Sequence, residues 1–250
     1  MIQFKISKKD KIGMNESLVS VLLLLVLFCV SLNTFSAPEN FRSAKKTLRH
    51  IYANDLQTSF YCGCSFSSQQ VNGKNKLIVD HKSCNYTPRK NAKRASRIEW
   101  EHVVSAWEFG HQLQCWQEGG RKACKKDKQF KRMEADLHNL VPAIGEVNGD
   151  RSNYKFTVLE GEKLVYGACD MEVDFKKRSV EPPEAVRGDI ARTYFYMAEK
   201  YGLKISKKQR KLFEAWDKAD PVSEYECRRH KPKSKKQGWS NRYITESCLL

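Results

Sequence analysis

The residues best suited to chemistry stand in two short segments, Arg97–Val104 and Asp136–Asp150. The first segment places a carboxylate next to an imidazole, at Glu101 and His102. A neutral imidazole near pH 7 can take a proton from water, and a carboxylate is a good ligand for a hard divalent cation. The second segment supplies Asn148, whose amide oxygen suits the same cation. These residue types predict a site that activates water beside a cation.

Two strands and a helix must position these side chains. Arg97–Val104 is rich in β-branched and aromatic residues, which predicts a strand. Leu140–Ile144 is a short apolar run that predicts a second strand, and a turn and a helix start holding Asn148 follow it. Adjacent side chains on a regular strand point to opposite faces. Glu101 and His102 can therefore share one site only if the first strand ends, twists or bulges at His102.

The charge of the chain points to an anionic partner. Its 250 residues are enough for one or at most two domains, and its 45 Lys and Arg against 29 Asp and Glu give a net charge of +16. Residues 1–37 carry four lysines and two acids, so the remainder keeps +14. An excess of this size favours a polyanion, either nucleic acid or an anionic membrane surface.

The N-terminus has the pattern of a targeting segment. Four lysines precede an apolar run, Leu18–Leu32, and small residues follow up to Ala37. The run has 15 residues, which is short for a membrane span of roughly 20. We therefore predict a signal peptide over residues 1–37 and a mature domain over 38–250, with an uncleaved anchor as the alternative.

The cysteines predict disulfides. Cys29 lies inside the apolar run, and eight others remain: Cys62, Cys64, Cys84, Cys115, Cys124, Cys169, Cys227 and Cys248. An even number in an exported chain predicts four disulfides. A zinc site is the alternative, but Cys62-Gly-Cys64 is tighter than a usual knuckle and no histidine lies at a matching spacing. One pairing is predicted, Cys115 with Cys124, because these residues bracket a Gly119-Gly120 turn.

Periodicity predicts the remaining elements of one mixed α/β domain. The early elements are a helix over residues 39–53, strands over Phe60–Phe66 and Leu77–Asp80 with a turn at Asn72–Asn75, and a hairpin over Phe156–Val165. The last third is mostly helical, with one helix opening at Glu181–Glu184 and a second running from the N-cap Ser206 to Asp220. The charge run Arg228–Lys236 is interpreted as a solvated face.

Five motifs occur in a fixed order along the chain. They are Glu-Trp-Glu-His-Val-Val at 99–104, His-Gln-x-Gln-Cys-Trp at 111–116, Gly-Gly-Arg-Lys at 119–122, His-Asn-Leu-x-Pro at 138–142 and Gly-Glu-Val-Asn-Gly-Asp at 145–150. Together they closely resemble the bacterial endonuclease I family of periplasmic and secreted non-specific nucleases, from about Phe41 to Cys248. The resemblance implies an α+β fold, stapled by disulfides, that contains a ββα-metal (His-Me finger) motif.

The resemblance also implies a role for each site residue. His102 is the general base, Glu101 and Asn148 are the metal ligands, and Arg121 holds the phosphate. A guanidinium suits that last role because its planar fork can make a two-point contact with phosphate. Glu134 lies in the same region and is either a supporting residue or a distant acid. The expected cation is Mg²⁺, for which Mn²⁺ or Ca²⁺ can substitute.

The implied protein is a periplasmic or secreted monomer that cleaves nucleic acid. It is expected to be a magnesium-dependent, non-sequence-specific endonuclease that acts on DNA, and RNA is left open as a second substrate. Its products carry 5′-phosphates. Two alternatives stay open: a metal-free ribonuclease with paired histidines, and a catalytically idle nucleic-acid-binding protein of the cell envelope.

Overall fold

A computed structural model describes residues 37–161 and 163–248 of the chain. The predicted signal peptide therefore lies outside the described residues, apart from Ala37. No helix in the described ranges is both long and apolar enough to cross a membrane.

The described residues form a mixture of helices and small sheets. The helices are α1 (Phe41–Ile51), α2 (Ala92–Ala95), α3 (Ala106–Gly110), α4 (Gln114–Cys124), α5 (Lys128–Glu134), α6 (Gly145–Arg151), α7 (Arg187–Tyr201), α8 (Lys207–Ala219), α9 (Glu224–Gln237) and α10 (Arg242–Cys248). The strands are β1 (Phe66–Val71), β2 (Lys74–Val79), β3 (Ile98–His102), β4 (Leu140–Ile144), β5 (Lys155–Phe156), β6 (Glu172–Asp174) and β7 (Ser179–Glu181). This content confirms the predicted α+β class.

An antiparallel pair, β3 and β4, lies at the centre of the structure. His102 pairs with Leu140 and Ile98 pairs with Ile144. Every residue of β4 is buried, as expected for an apolar strand that is covered on both faces. Helix α6 begins directly after Ile144 and carries Asn148. Both predicted strands and the predicted helix start are confirmed.

The predicted strand over Phe60–Phe66 is wrong, because the chain turns over residues 60–62 and Ser65 makes only an isolated bridge, to Thr58. The amide of Ser59 donates to the carbonyl of Cys64, and Gly63 has a φ of +66°, so the chain folds back here. Strand β1 begins only at Phe66 and pairs antiparallel with β2. The turn between them is centred on Asn72-Gly73, one residue earlier than the middle of the predicted turn.

The predicted hairpin over Phe156–Val165 is also wrong. Strand β5 ends at Phe156 and pairs in parallel with β7, in a three-stranded sheet of order β5-β7-β6. The chain after β5 continues against β7, since the amide of Thr157 donates to the carbonyl of Val180. The Leu159 amide then donates to the Glu181 carboxylate. Partners from a distant segment replace the local pairing that a hairpin needs.

The C-terminal helices pack against the central pair. Ser206 caps α8 through a hydrogen bond from the Gln209 amide, which confirms the predicted N-cap. The charge run in α9 is solvated only in part: Arg228, Lys231, Lys235 and Lys236 are exposed, as predicted, whereas Arg229, His230 and Lys233 are buried. The ammonium of Lys233 donates to the carbonyl of Leu140 at 2.7 Å. This face of the helix therefore contacts β4, and the solvated interpretation is wrong for its three buried residues.

Four disulfides account for all eight cysteines in the described residues. The pairs are Cys62–Cys169, Cys64–Cys84, Cys115–Cys124 and Cys227–Cys248. The predicted Cys115–Cys124 pairing is confirmed, and no thiolate among these residues remains for zinc. This disulfide lies within α4, where the backbone departs from helical geometry at Gly119 and Gly120.

Candidate active site

One cavity of about 460 Å³ brings the predicted site residues together. Residues of α1, β3, α4 and α6 line it. Among the residues that line it are Glu101, His102, Arg121 and Asn148. Glu134 is not a lining residue, but it contacts both Arg121 and His102.

The imidazole of His102 is held in one tautomer. Its Nε2 lies 2.8 Å from the backbone carbonyl oxygen of Glu134. A carbonyl oxygen only accepts, so Nε2 carries the hydrogen and Nδ1 is the basic nitrogen of the neutral ring. Burial lowers the pKa of His102 to about 4, which keeps the ring neutral at pH 7. The phenyl ring of Phe41 lies against it at 4.7 Å between centroids.

One of the two oxygens of the Glu101 carboxylate accepts hydrogen bonds. Its Oε1 accepts from the Tyr61 hydroxyl at 3.3 Å and from Nη1 of Arg151 at 3.0 Å. No described residue hydrogen-bonds to Oε2. Burial raises the pKa of Glu101 to about 7, and the charge of Arg151 opposes that rise. The ion pair with Arg151 therefore favours the ionised form that a cation needs.

Arg151 is the last residue of α6 and has a side chain that is only 1% exposed. Besides Glu101, its guanidinium donates to the carbonyls of His102 and Val103, at 2.9 and 2.6 Å. Strand β3 ends at His102, as the sequence argument required. Val103 still donates to the Asn139 carbonyl, but its own carbonyl accepts from Arg151 and the Asn139 amide bonds to Asp136. The regular ladder therefore ends just after His102.

Glu99 sets the orientation of the Asn148 amide. The Nδ2 of Asn148 donates to Oε2 of Glu99 at 3.3 Å. Glu99 is itself fixed by two arginines, since it accepts from Nε of Arg94 at 3.2 Å and from Nη2 of Arg97 at 2.7 Å. A carboxylate only accepts, so the amide nitrogen must face Glu99. The amide oxygen of Asn148 is then left free to act as a ligand.

Arg121 and Glu134 form an ion pair beside the imidazole. The Nη2 of Arg121 lies 2.7 Å from Oε1 of Glu134, and the Arg121 side chain is 47% exposed. Arg121 follows Gly120, whose φ of +58° belongs to the left-handed region that favours glycine. The kink turns the arginine toward the cavity. Glu134 thus holds Arg121 through its side chain and His102 through its main chain.

The donor set fits a hard divalent cation. Within residues 37–161 and 163–248, no group of three or more His, Cys, Asp or Glu is arranged to hold a metal. The free oxygens of Glu101 and Asn148 instead provide two ligands at one cavity, which has room for waters and a phosphate. Mg²⁺ is commonly held in this way, by one or two side chains with water and phosphate completing its shell.

Sequence reasoning missed three residues of this site: Tyr61, Glu99 and Arg151. Two of them had a local signal. Glu99 lies two residues before Glu101 and so shares its strand face, and Arg151 lies three residues after Asn148 on the same side of a helix. Tyr61 is 40 residues from its partner Glu101, and no local sequence pattern predicts that contact.

Comparisons with known proteins identify the family of the chain. The family model for Endonuclease I matches residues 40–248. The chain is 54% identical to a periplasmic deoxyribonuclease of Aeromonas hydrophila over 211 residues, which cover 84% of this chain and 87% of that protein. It is 52% identical to an extracellular deoxyribonuclease of the same species over 231 residues, 90% of this chain and 98% of that protein. It is also 52% identical to Endonuclease-1 of Buchnera aphidicola subsp. Acyrthosiphon pisum over 210 residues, 84% and 82% of the two chains. On these matches the chain belongs to the endonuclease I family.

Proposed function

We propose that this protein is an exported, metal-dependent endonuclease that hydrolyses phosphodiester bonds of DNA without sequence specificity. Its endonuclease class follows from membership in the endonuclease I family over residues 40–248. Relatives more than half identical to it are named periplasmic or extracellular deoxyribonucleases. The mature domain spans residues 38–250, works as a monomer, and follows a signal peptide at 1–37.

One observation carries the chemistry: a single histidine tautomer faces a cavity that also holds two free oxygen ligands. The Nε2 of His102 is taken by the Glu134 carbonyl, so Nδ1 is the atom that accepts the proton of the attacking water. Strand β3 supplies the base His102 and the ligand Glu101, β4 pairs with β3, and α6 follows β4 and supplies the ligand Asn148. We interpret this unit as a ββα-metal motif.

The remaining residues divide the other tasks. Glu101 and Asn148 hold the cation, which is Mg²⁺ with Mn²⁺ or Ca²⁺ as substitutes. When bound, the cation stabilises negative charge on the phosphate and on the leaving oxygen. Arg121 contacts the phosphate from the opposite side, and Glu134 positions Arg121. Hydrolysis in this geometry breaks the bond between the 3′-oxygen and phosphorus and leaves a 5′-phosphate.

The lack of sequence specificity follows from where the positive charge lies. Lys45 and Arg49 line the same cavity as Arg121, and both are exposed. Contacts from Lys and Arg to phosphate oxygens carry no sequence information and dominate non-specific affinity. DNA is the substrate that this surface and the named relatives favour.

A plasmid assay tests the proposal against its alternatives. Purified mature protein is incubated with supercoiled plasmid in Mg²⁺, in excess chelator, and in chelator followed by Mg²⁺, Mn²⁺ or Ca²⁺. We expect nicking that stops with the chelator and returns with the cation, and nicks that DNA ligase reseals because they carry 5′-phosphate and 3′-hydroxyl ends. Cleavage of RNA that survives the chelator and yields cyclic phosphates would instead indicate the metal-free ribonuclease. Binding without any cleavage would indicate the idle capture protein.

A further inference from the structure

The hairpin formed by β1 and β2 projects from the body of the protein. Phe66, Leu77 and Val79 are buried at its base, whereas residues 67–70 and 72–76 are exposed. Three residue pairs lie beyond Leu77, which is a length of about 10 Å at roughly 3.3 Å per residue. A two-stranded ribbon with no sheet or helix covering its end is only marginally stable by itself in water. An end of this kind is suited to contact with a partner.

The hairpin end has a defined shape. The two turn residues, Asn72 and Gly73, have φ values of +53° and +69°, the geometry of the tight turns that match the twist of two strands. Gln69 pairs with Lys76, and Val71 pairs with Lys74. Because side chains alternate along a strand, Lys74, Lys76 and Gln69 share one face of the ribbon.

Helix α1 connects this hairpin to the active-site cavity. Lys45 and Arg49 line the cavity, and Nη1 of Arg49 donates to the carbonyl of Asn75 at 3.3 Å. Neither α1 nor residues 66–79 contain an Asp or a Glu. Positive charge therefore runs from the cavity, along α1, to Lys74 and Lys76 without an intervening carboxylate. An extended polyanion such as a DNA backbone suits such a line of cations.

We propose that the end of this hairpin, residues 67–76, is a DNA-contacting arm that lies against duplex DNA beside the phosphate being cleaved. Lys74 and Lys76 contact backbone phosphates, and the polar tip, which includes Gln69, lies along a groove. A two-stranded ribbon has the width that a DNA groove accommodates. The inference rests on the proposed function, because the arm has this role only if the cavity cleaves DNA.

The test compares two variants with the same change in charge. Lys74→Ala/Lys76→Ala alters the arm, and Lys207→Ala/Lys211→Ala alters two exposed lysines of α8 that do not line the cavity. Both are made in a His102→Ala background, and the affinity for a fluorescent 20-base-pair duplex is measured by anisotropy across a salt series. A third variant replaces residues 70–75 with Asn-Gly, which shortens the arm but keeps a tight turn. Steady-state cleavage by the same variants with His102 intact gives kcat and KM.

We expect the arm variant to lower the slope of log affinity against log salt by about 1.8, which is about 0.9 for each lost phosphate contact. Its affinity at 0.1 M salt should fall on the order of tenfold, and KM should rise while kcat is unchanged. The shortened hairpin should also lower the slope and raise KM. Lys207→Ala/Lys211→Ala should keep the slope of the parent protein. Equal slopes and KM values for the arm pair and the α8 pair would overturn the inference. Failure of the parent enzyme to cut plasmid would instead refute the proposed function.

Discussion

The Nε2 of His102 lies 2.8 Å from the main-chain carbonyl of Glu134, so a backbone atom fixes the protonation pattern of the proposed base. Substitution of the Glu134 side chain leaves that carbonyl in place. Loss of the imidazole and loss of the Glu134 carboxylate should therefore have different consequences.

His102→Ala should lower the rate of plasmid cleavage by roughly 10²–10⁴ even at saturating Mg²⁺, because it removes a base and no ligand. Binding of metal and DNA should persist, as measured by calorimetry and by anisotropy. His111→Ala is the matched control, since His111 is a histidine that does not line the cavity. Recovery of the cleavage rate of His102→Ala by excess cation would mean that His102 is a metal ligand and Glu101 the base.

Glu101→Gln and Asn148→Ala should each raise the Mg²⁺ concentration needed for half-maximal activity, because each removes a proposed ligand. Excess Mg²⁺ or Mn²⁺ should restore part of the rate. Glu101→Gln is preferable to Ala because its amide oxygen can still accept from Arg151, which is 1% exposed and would otherwise lose this hydrogen-bond acceptor as well as the charge. An unchanged cation requirement in both variants, with normal thermal unfolding, would place the cation elsewhere.

Glu99→Gln should raise the cation requirement although Glu99 is not a proposed ligand. Its carboxylate accepts from the Asn148 amide nitrogen and so leaves the amide oxygen free, and the substituted amide removes that constraint. The double variant Glu99→Gln/Asn148→Asp should need less cation than Glu99→Gln alone, because a carboxylate at 148 has no amide orientation to lose. Cation titrations of the parent, Glu99→Gln, Asn148→Asp and the double variant complete a double-mutant cycle. Equal cation requirements for Glu99→Gln and the parent would refute the positioning role.

Arg121→Ala should lower kcat without changing the cation requirement, because it removes a contact to phosphate. Glu134→Gln should have a smaller effect, since it keeps the carbonyl that holds His102 and weakens only the ion pair with Arg121. Initial rates at several Mg²⁺ concentrations distinguish the two variants. A loss in Glu134→Gln as large as that in His102→Ala would instead make Glu134 a direct acid.

The buried histidines of the C-terminal half should make stability depend on pH. Burial lowers the pKa of His138 to about 3, whereas the same ring in the unfolded chain titrates near 6.5. The unfolded state then binds more protons between these values, so stability falls as the pH drops from about 6.5 toward 3. His138 alone contributes about 1.4 kcal/mol per pH unit in that window.

Urea unfolding at several pH values measures that slope. His138→Gln should reduce it by about 1.4 kcal/mol per pH unit, because a glutamine cannot take up the proton. The ring of His138 bonds to the carbonyl of Trp239, a partner that a glutamine amide can also reach. His111→Gln is the control at a less buried histidine and should leave the slope unchanged. If stability depends on pH equally in His138→Gln and in the parent, the prediction is contradicted.

The parts of the fold that the sequence predicted are those in which local pattern and tertiary environment agree. Strand β4 is apolar throughout and fully buried, so its run of hydrophobic residues was sufficient. The hairpin predicted over Phe156–Val165 failed because β5 takes its partner from β7, more than 20 residues away. The prediction that Lys233 is solvated failed for the same reason, since its ammonium donates to the carbonyl of Leu140, which is distant in sequence.

The candidate site shows the same limit. The family resemblance carried by the ordered motifs was enough to name Glu101, His102, Asn148 and Arg121, and all four line one cavity. Neither spacing nor order shows which oxygen or nitrogen of each group is free. That information lies in long-range contacts such as the one between Arg151 and Glu101, which are 50 residues apart.

The guanidinium of Arg151 makes one half of the active site a single rigid body. It ties the end of α6 to Glu101 and to the carbonyls of His102 and Val103, so base and ligands cannot move independently. DNA backbones differ in groove width and local twist from one sequence to another. We expect accommodation of those differences to come from the side of Arg121, where Gly119 and Gly120 interrupt α4 within the loop closed by Cys115–Cys124. A rigid catalytic centre is then compatible with many DNA sequences, because the adjustable part of the site is the kink at Gly119 and Gly120 beside Arg121.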